Sequence, residues 1–82
     1  MNVRTLSPRL QIYLEKHQLQ AFFEKQSQIF LANPRHPGLH TELLEPKDLA
    51  LYSFRITKKY RAIFVSCGDG SIEIIDINNH YS

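Results

Sequence analysis

Hydrophobic positions follow two different periods along this chain, and the change between them falls near its middle. In the first half Leu10, Tyr13 and Leu14 recur at three- and four-residue spacing, with His17 as a further candidate, and Leu19, Phe22, Phe23, Ile29 and Phe30 resume the stripe. That spacing predicts amphipathic helix, either two helices with a break near His17-Gln18 or one kinked helix. Ser7-Pro8 supplies the start, an N-cap hydroxyl followed by a proline whose missing N–H costs nothing at the first helical position. Asn33 to Gly38, with two prolines and a glycine, forbids continuation. Phe22, Phe23 and Phe30 are expected in the core, and His17 at a helix C-terminus or in the core.

The second half has period two. Leu51 to Thr57 places Tyr52, Phe54 and Ile56 on one face and Ser53, Arg55 and Thr57 on the other, the pattern of a half-buried strand. Tyr60 to Ser66 is apolar on both faces, as a covered central strand is, with Arg61 the exception. Cys67-Gly68-Asp69-Gly70 supplies turn residues that tolerate positive φ, and Ser71 to Ile77 completes a hairpin. Asn2 to Leu6 and Leu39 to Leu44 are candidates for shorter strands. The sum is an α+β domain spanning residues 1–82, with two N-terminal helices packed on one face of a small antiparallel β-sheet of three to five strands. The other sheet face is left available for function.

Composition narrows the functional classes. With 82 residues the chain fits one domain, at roughly 100 to 200 residues each, and a domain this small favours a surface groove over a deep cofactor pocket. One cysteine, Cys67, leaves no internal disulfide or cysteine-based metal site. Arg4, Pro8 and Arg9 interrupt any leader-like apolar run, and no stretch reaches the ~20 apolar residues of a membrane span. A cytoplasmic protein, with no membrane association and no cofactor, is expected.

Net charge is only +2, but its distribution is uneven. Between residues 47 and 61, Lys47, Arg55, Lys58, Lys59 and Arg61 face a single acid, Asp48. Two readings stand: a surface attracting a polyanion by steering and counterion release, or a solvated strand edge guarded by lysines. Arg55 and Arg61 are six residues apart on adjoining strand segments. If the strands pair, the two guanidiniums converge to hold phosphate, or each pairs with an acid such as Glu73 or Asp76. His80 and Tyr81 follow the last strand, where a histidine exchanges protons near neutral pH; the alternative is an inert chain end. His36 and His40 have a spacing that suits metal on a helix, but Pro37-Gly38 forbids that helix and no third ligand is near, so no metal site is expected.

The order of these segments resembles the RelE/ParE toxin superfamily of bacterial toxin–antitoxin systems. Two helices lead to Asn33-Pro34-Arg35-His36-Pro37, then to Tyr52-Ser53-Phe54-Arg55-Ile56, Tyr60-Arg61-Ala62-Ile63-Phe64 and Ile74-Ile75-Asp76-Ile77-Asn78-Asn79-His80. The resemblance covers nearly the whole chain and lies in order and spacing more than in any single motif. It implies a fold like that of small microbial ribonucleases, cleavage of mRNA on the ribosome without metal, and silencing by a cognate antitoxin protein. Arg61 then corresponds to an arginine that stabilises the phosphate under attack, Arg55 to a second basic position, and His80 to the proton donor. Tyr81 corresponds to a positioning tyrosine if the chain follows the YoeB pattern of a terminal His-Tyr pair. In the other alignment that tyrosine lies several residues further on, and was lost or belongs to a longer chain. The general base falls on Glu42, Glu45 or Lys47, while Lys58, Lys59, Arg55 and Lys47 would hold RNA. Two other outcomes fit the same resemblance: a ParE-like toxin that binds DNA gyrase without catalysis, and a degenerate toxin that only binds its antitoxin.

Overall fold

The computed structural model describes residues 2–79. The first helix, α1 (Pro8–Lys16), begins where Ser7 Oγ accepts a hydrogen bond from the Leu10 amide, with Pro8 in the first turn. His17 ends it. Gln18 then adopts a left-handed φ of 56°, which no helix can absorb, so α2 (Gln20–Ala32) starts in a new direction from Leu19. The helical stretch is therefore two helices broken at the expected place. Asn33-Pro34 ends α2, and Asn33 Oδ1 accepts from the Arg35 amide at 3.1 Å.

Five strands form one sheet: β1 (Asn2–Val3), β2 (Glu42–Leu43), β3 (Tyr52–Arg55), β4 (Arg61–Ser66) and β5 (Ser71–Asn78), in the order β1-β5-β4-β3-β2. The α+β architecture with two N-terminal helices on one sheet face is as expected, but a short strand precedes the helices and the sheet is mixed. Strand β1 runs parallel to β5, pairing Asn2 with Ser71 and Val3 with Ile72, because the two helices carry the chain from that edge across the sheet. The remaining neighbours are antiparallel. The candidate strand at 39–44 shrinks to Glu42–Leu43, since Pro37–Leu39 forms a 3-10 turn and His40 is left-handed at φ 46°. Likewise β3 stops at Arg55: the amides of Ile56 and Thr57 both turn to the Tyr60 carbonyl, and Thr57 Oγ1 accepts from the amides of Lys59 and Tyr60. Gly68 and Gly70 supply the positive φ values, 79° and 87°, of the β4–β5 turn.

The core lies between the helices and one sheet face. Leu10, Leu14, Leu19 and Phe30 pack on Phe54, Ile56, Ala62, Phe64, Ile72, Ile74 and Ile77. The ring of Phe54 stacks on Phe30 at 5.6 Å and on Phe23 at 6.2 Å, while Tyr52 stacks on Phe64 at 5.7 Å. Each fully buried large side chain contributes about 1.5–3 kcal/mol. Phe22 departs from expectation: it is 53% exposed. The buried line on α2 runs through Phe23, Gln26, Ser27 and Phe30, and Phe22 sits on its flank.

Strand β4 is central, as its two-sided apolar character predicts, and its first four residues are buried. A bulge between Ile63 and Phe64 shifts its register with β5, so that Ile74 and Ile77 both face the helices. Among the described residues, no helix is long and apolar enough to cross a membrane.

Candidate phosphate-binding face

The sheet face away from the helices carries the polar residues of β3 and β4. Cross-strand register puts Arg55 directly opposite Arg61, and Arg61 opposite Asn78. Residues opposed in this way project on the same face with Cβ atoms about 5 Å apart. The two arginines therefore share one sheet face, as the strand pairing was expected to place them. The next row along the same face is Glu42, Ser53, Ile63 and Asp76.

The two arginines are held differently. Arg61 is 7% exposed. Its Nε donates to Ser53 Oγ at 2.9 Å, and its Nη2 donates to the His40 carbonyl and, at 3.5 Å, to the Ser53 carbonyl. The guanidinium thus crosses β3 over Ser53, itself fully buried, and reaches the loop beyond the sheet edge. Serine suits position 53 because it leaves room for that crossing and accepts from the guanidinium. Arg55 is half-buried, and among the described residues it has no carboxylate within salt-bridge distance. Its carbonyl accepts from Gln26 Nε2 at 2.7 Å, and the same amide group donates to the Gly38 carbonyl at 3.2 Å. Gln26 therefore ties α2, the end of β3 and the 3-10 turn together beneath the arginines.

Opposed like charges destabilise a sheet pair. The cost is offset by the hydrogen bonds of Arg61, and the result is a concentrated positive potential. Neither expected acid serves simply as a partner for this pair. Asp76 is 3.6 Å from Arg9 Nη1 and accepts from Asn78 Nδ2 at 3.0 Å, and Glu73 stands opposite Val65, away from the arginine row.

The remaining expected residues fall in several places. Glu42 lies on the arginine face, one row away. Glu45 and Lys47 are exposed in the β2–β3 connection, beyond the closing bond from the Leu44 amide to the Leu51 carbonyl. Lys58 and Lys59 are exposed in the β3–β4 turn, at the other end of β3. The positive run between residues 47 and 61 is thus divided: Lys47 at one end of β3, two lysines at the other, and the arginines between. His80 and Tyr81 lie outside the described residues.

Other polar features carried no clear sequence signal. Tyr13 and His17 of α1 meet Tyr60, with ring centroids of Tyr13 and His17 4.3 Å apart and Tyr60 Oη 3.2 Å from His17 Nδ1. Burial, followed by the neighbouring Tyr60, pushes the Tyr13 hydroxyl above its ordinary pKa. At the β4–β5 turn, Ser71 donates through both its hydroxyl and its amide to Asp69, which also pairs with Arg4 at 3.1 Å. Those bonds hold the Asp69 carboxyl well below the usual range. His36 and His40 belong to a loop cleft with no third ligand: among the described residues, no group of three or more His, Cys, Asp or Glu side chains is gathered to hold a metal.

A small α+β fold with paired arginines on its open sheet face defines the class of structure to which this chain is compared. It is similar to a solved structure described as a YoeB/ParE toxin from Agrobacterium tumefaciens, with a TM-score of 0.72 and 21% identity, covering 99% of this chain and 100% of that one. The likeness establishes a shared fold over essentially the full length of both chains. No protein-family model matches the sequence, and no curated protein matches it.

Proposed function

We propose that this chain is the toxin of a toxin–antitoxin pair and acts as an endoribonuclease on mRNA at the ribosome. The observation that carries the reading is the Arg55–Arg61 row on the open face of a fold shared with a YoeB/ParE toxin. In the reaction, the ribose 2′-oxygen attacks the adjacent phosphorus while the bond from phosphorus to the 5′-oxygen breaks. The products carry a 2′,3′-cyclic phosphate and a free 5′-hydroxyl. Negative charge developing on the phosphate oxygens is met by Arg55 from the solvent side and by Arg61 behind it, an effect worth about 3–4 kcal/mol per well-placed donor. The 2′ proton passes to a base from Glu42, Glu45 or Lys47, and register favours Glu42 by placing it on the arginine face. His80 supplies the proton to the departing 5′-oxygen, with Tyr81 beside it, and Lys58 and Lys59 attract the strand.

The partners on this reading are mRNA, the ribosome and an antitoxin. An apolar groove of about 320 Å³ on the helix side, lined by Phe30, Tyr52, Phe64 and Ile72 among others, suits an amphipathic antitoxin segment. A second reading, a ParE-like toxin that binds DNA gyrase, is favoured by the near-complete burial of Arg61, which leaves less guanidinium surface for phosphate. Purified chain added to ribosomes programmed with mRNA, beside a gyrase supercoiling assay, separates the two. We expect cleavage that Arg55→Ala abolishes and no change in supercoiling; inhibited supercoiling with intact mRNA would replace the first reading by the second.

A further inference from the structure

A cleft of about 390 Å³ opens in the loop whose His40 carbonyl receives the Arg61 guanidinium, lined by Pro34, Arg35, His36, Pro37, His40 and Thr41. Its volume falls within the range of small-ligand sites. Its lining combines one guanidinium, two imidazoles and two proline rings. The loop is well fixed: His36 Nδ1 accepts from the Gly38 amide at 2.9 Å, Thr41 Oγ1 donates to the Pro34 carbonyl at 3.4 Å, and Leu39 is fully buried beneath. His40 belongs to both places, since its carbonyl accepts from Arg61 while the residue also lines the cleft. Arg35 is exposed, and among the described residues it has no carboxylate within salt-bridge distance.

We infer that this cleft is a second nucleotide subsite, holding the base and phosphate of an RNA residue next to the one at the arginine row. The inference rests on the reading of RNA as substrate. Arg35 takes the phosphate oxygens, as a guanidinium fork does, and the imidazoles of His36 and His40 offer flat faces and ring nitrogens to the base. The bond from Arg61 to the His40 carbonyl sets the separation of the two subsites, so that the strand is held at two points.

The test uses the full chain and three probes: inorganic phosphate, adenosine 5′-monophosphate, and a trinucleotide whose 2′-hydroxyls are methylated so that it cannot be cleaved. Affinity is followed by calorimetry, and site occupancy by the imidazole proton resonances of His36 and His40. The trinucleotide should bind at least about tenfold more tightly than the mononucleotide and move both resonances. Arg35→Ala should weaken it by about tenfold, the scale of one hydrogen bond to a charged group, without unfolding the chain. His36→Asn, which keeps an acceptor for the Gly38 amide, should weaken it by a smaller factor. Equal affinity for mononucleotide and trinucleotide would mark a free-nucleotide site and overturn the inference, as would unmoved resonances at saturation or an Arg35→Ala variant that binds normally. Arg35-dependent trinucleotide binding by a chain that leaves ribosome-bound mRNA intact would uphold the cleft and remove the ribonuclease reading, so the two fail separately.

Discussion

The two faces of the sheet are both buried in places, but for opposite physical reasons. On the helix side Phe54, Phe64 and Ile77 are covered by apolar side chains, and their burial is driven by removal of hydrocarbon from water. On the other side Ser53 and Arg61 are equally inaccessible, held by directional bonds to each other and to the His40 carbonyl. Burial without a hydrophobic motive needs another explanation, because a desolvated guanidinium is costly unless its donors are matched. Arg61, directly opposite the half-buried Arg55, is anchored by those bonds, and on the proposed function Arg55 is the one offered to an anion.

The comparison breaks first at the core. Phe54→Ala should cost about 3–5 kcal/mol of unfolding free energy, read by chemical denaturation, because three aromatic neighbours cannot close over the void. A loss below about 1 kcal/mol would mean that the helix face is not packed as described. On the other face Arg61→Ala should cost about 1–3 kcal/mol by leaving buried acceptors unmatched, whereas Arg55→Ala should stay within about 0.5 kcal/mol, as surface changes do. Equal losses for the two arginines would erase the distinction between anchored and offered charge. Smaller still, Ser27→Ala should raise stability by up to about 1 kcal/mol, since the buried Ser27 hydroxyl has no hydrogen-bond partner among the described residues and alanine is the better helix former. A clear destabilisation would point to a bond that the hydroxyl makes.

The weakest effect concerns pH. Asp69 has a folded pKa below its unfolded value, chiefly through the Ser71 hydroxyl and amide and then Arg4. Its contribution is fully present above the unfolded value of about 4, and fades as pH falls through and below it toward the folded value. The fall of stability on acidification below about pH 4 should therefore flatten in the Asp69→Asn variant, whose deficit against the unmodified chain is constant above that pH and shrinks below it. A deficit that grows on acidification, or a difference in slope already present at pH 6, would contradict that assignment.

How much of this was legible in the sequence follows from what carries periodicity. The helix break was readable because a stripe changes phase at His17-Gln18, and β4 was readable as central because it is apolar on both faces. The parallel pairing of β1 was not, since a two-residue strand has too few side chains to declare a partner. Phe22 misled because it neighbours the buried stripe, while Gln26 gave a signal that went unread: a polar side chain at a core-stripe position, three after Phe23 and four before Phe30. That Arg55 and Arg61 share one sheet face was open to reading from spacing. The burial of Arg61 was not, because its decisive acceptors include backbone carbonyls at His40 and Ser53, and a carbonyl is the same at every residue. Nor does a run of charge along the chain reveal that β3 will separate Lys47 from Lys58 and Lys59.

The central claim, that the arginine row handles phosphate, is tested most directly by measuring ribosome-dependent mRNA cleavage and unfolding free energy together for Arg55→Ala. The prediction is a fall in cleavage of at least about a hundredfold, with stability unchanged and 2′,3′-cyclic phosphate ends on whatever product remains. An Arg55→Ala chain that cleaves mRNA as fast as the unmodified one would contradict the account.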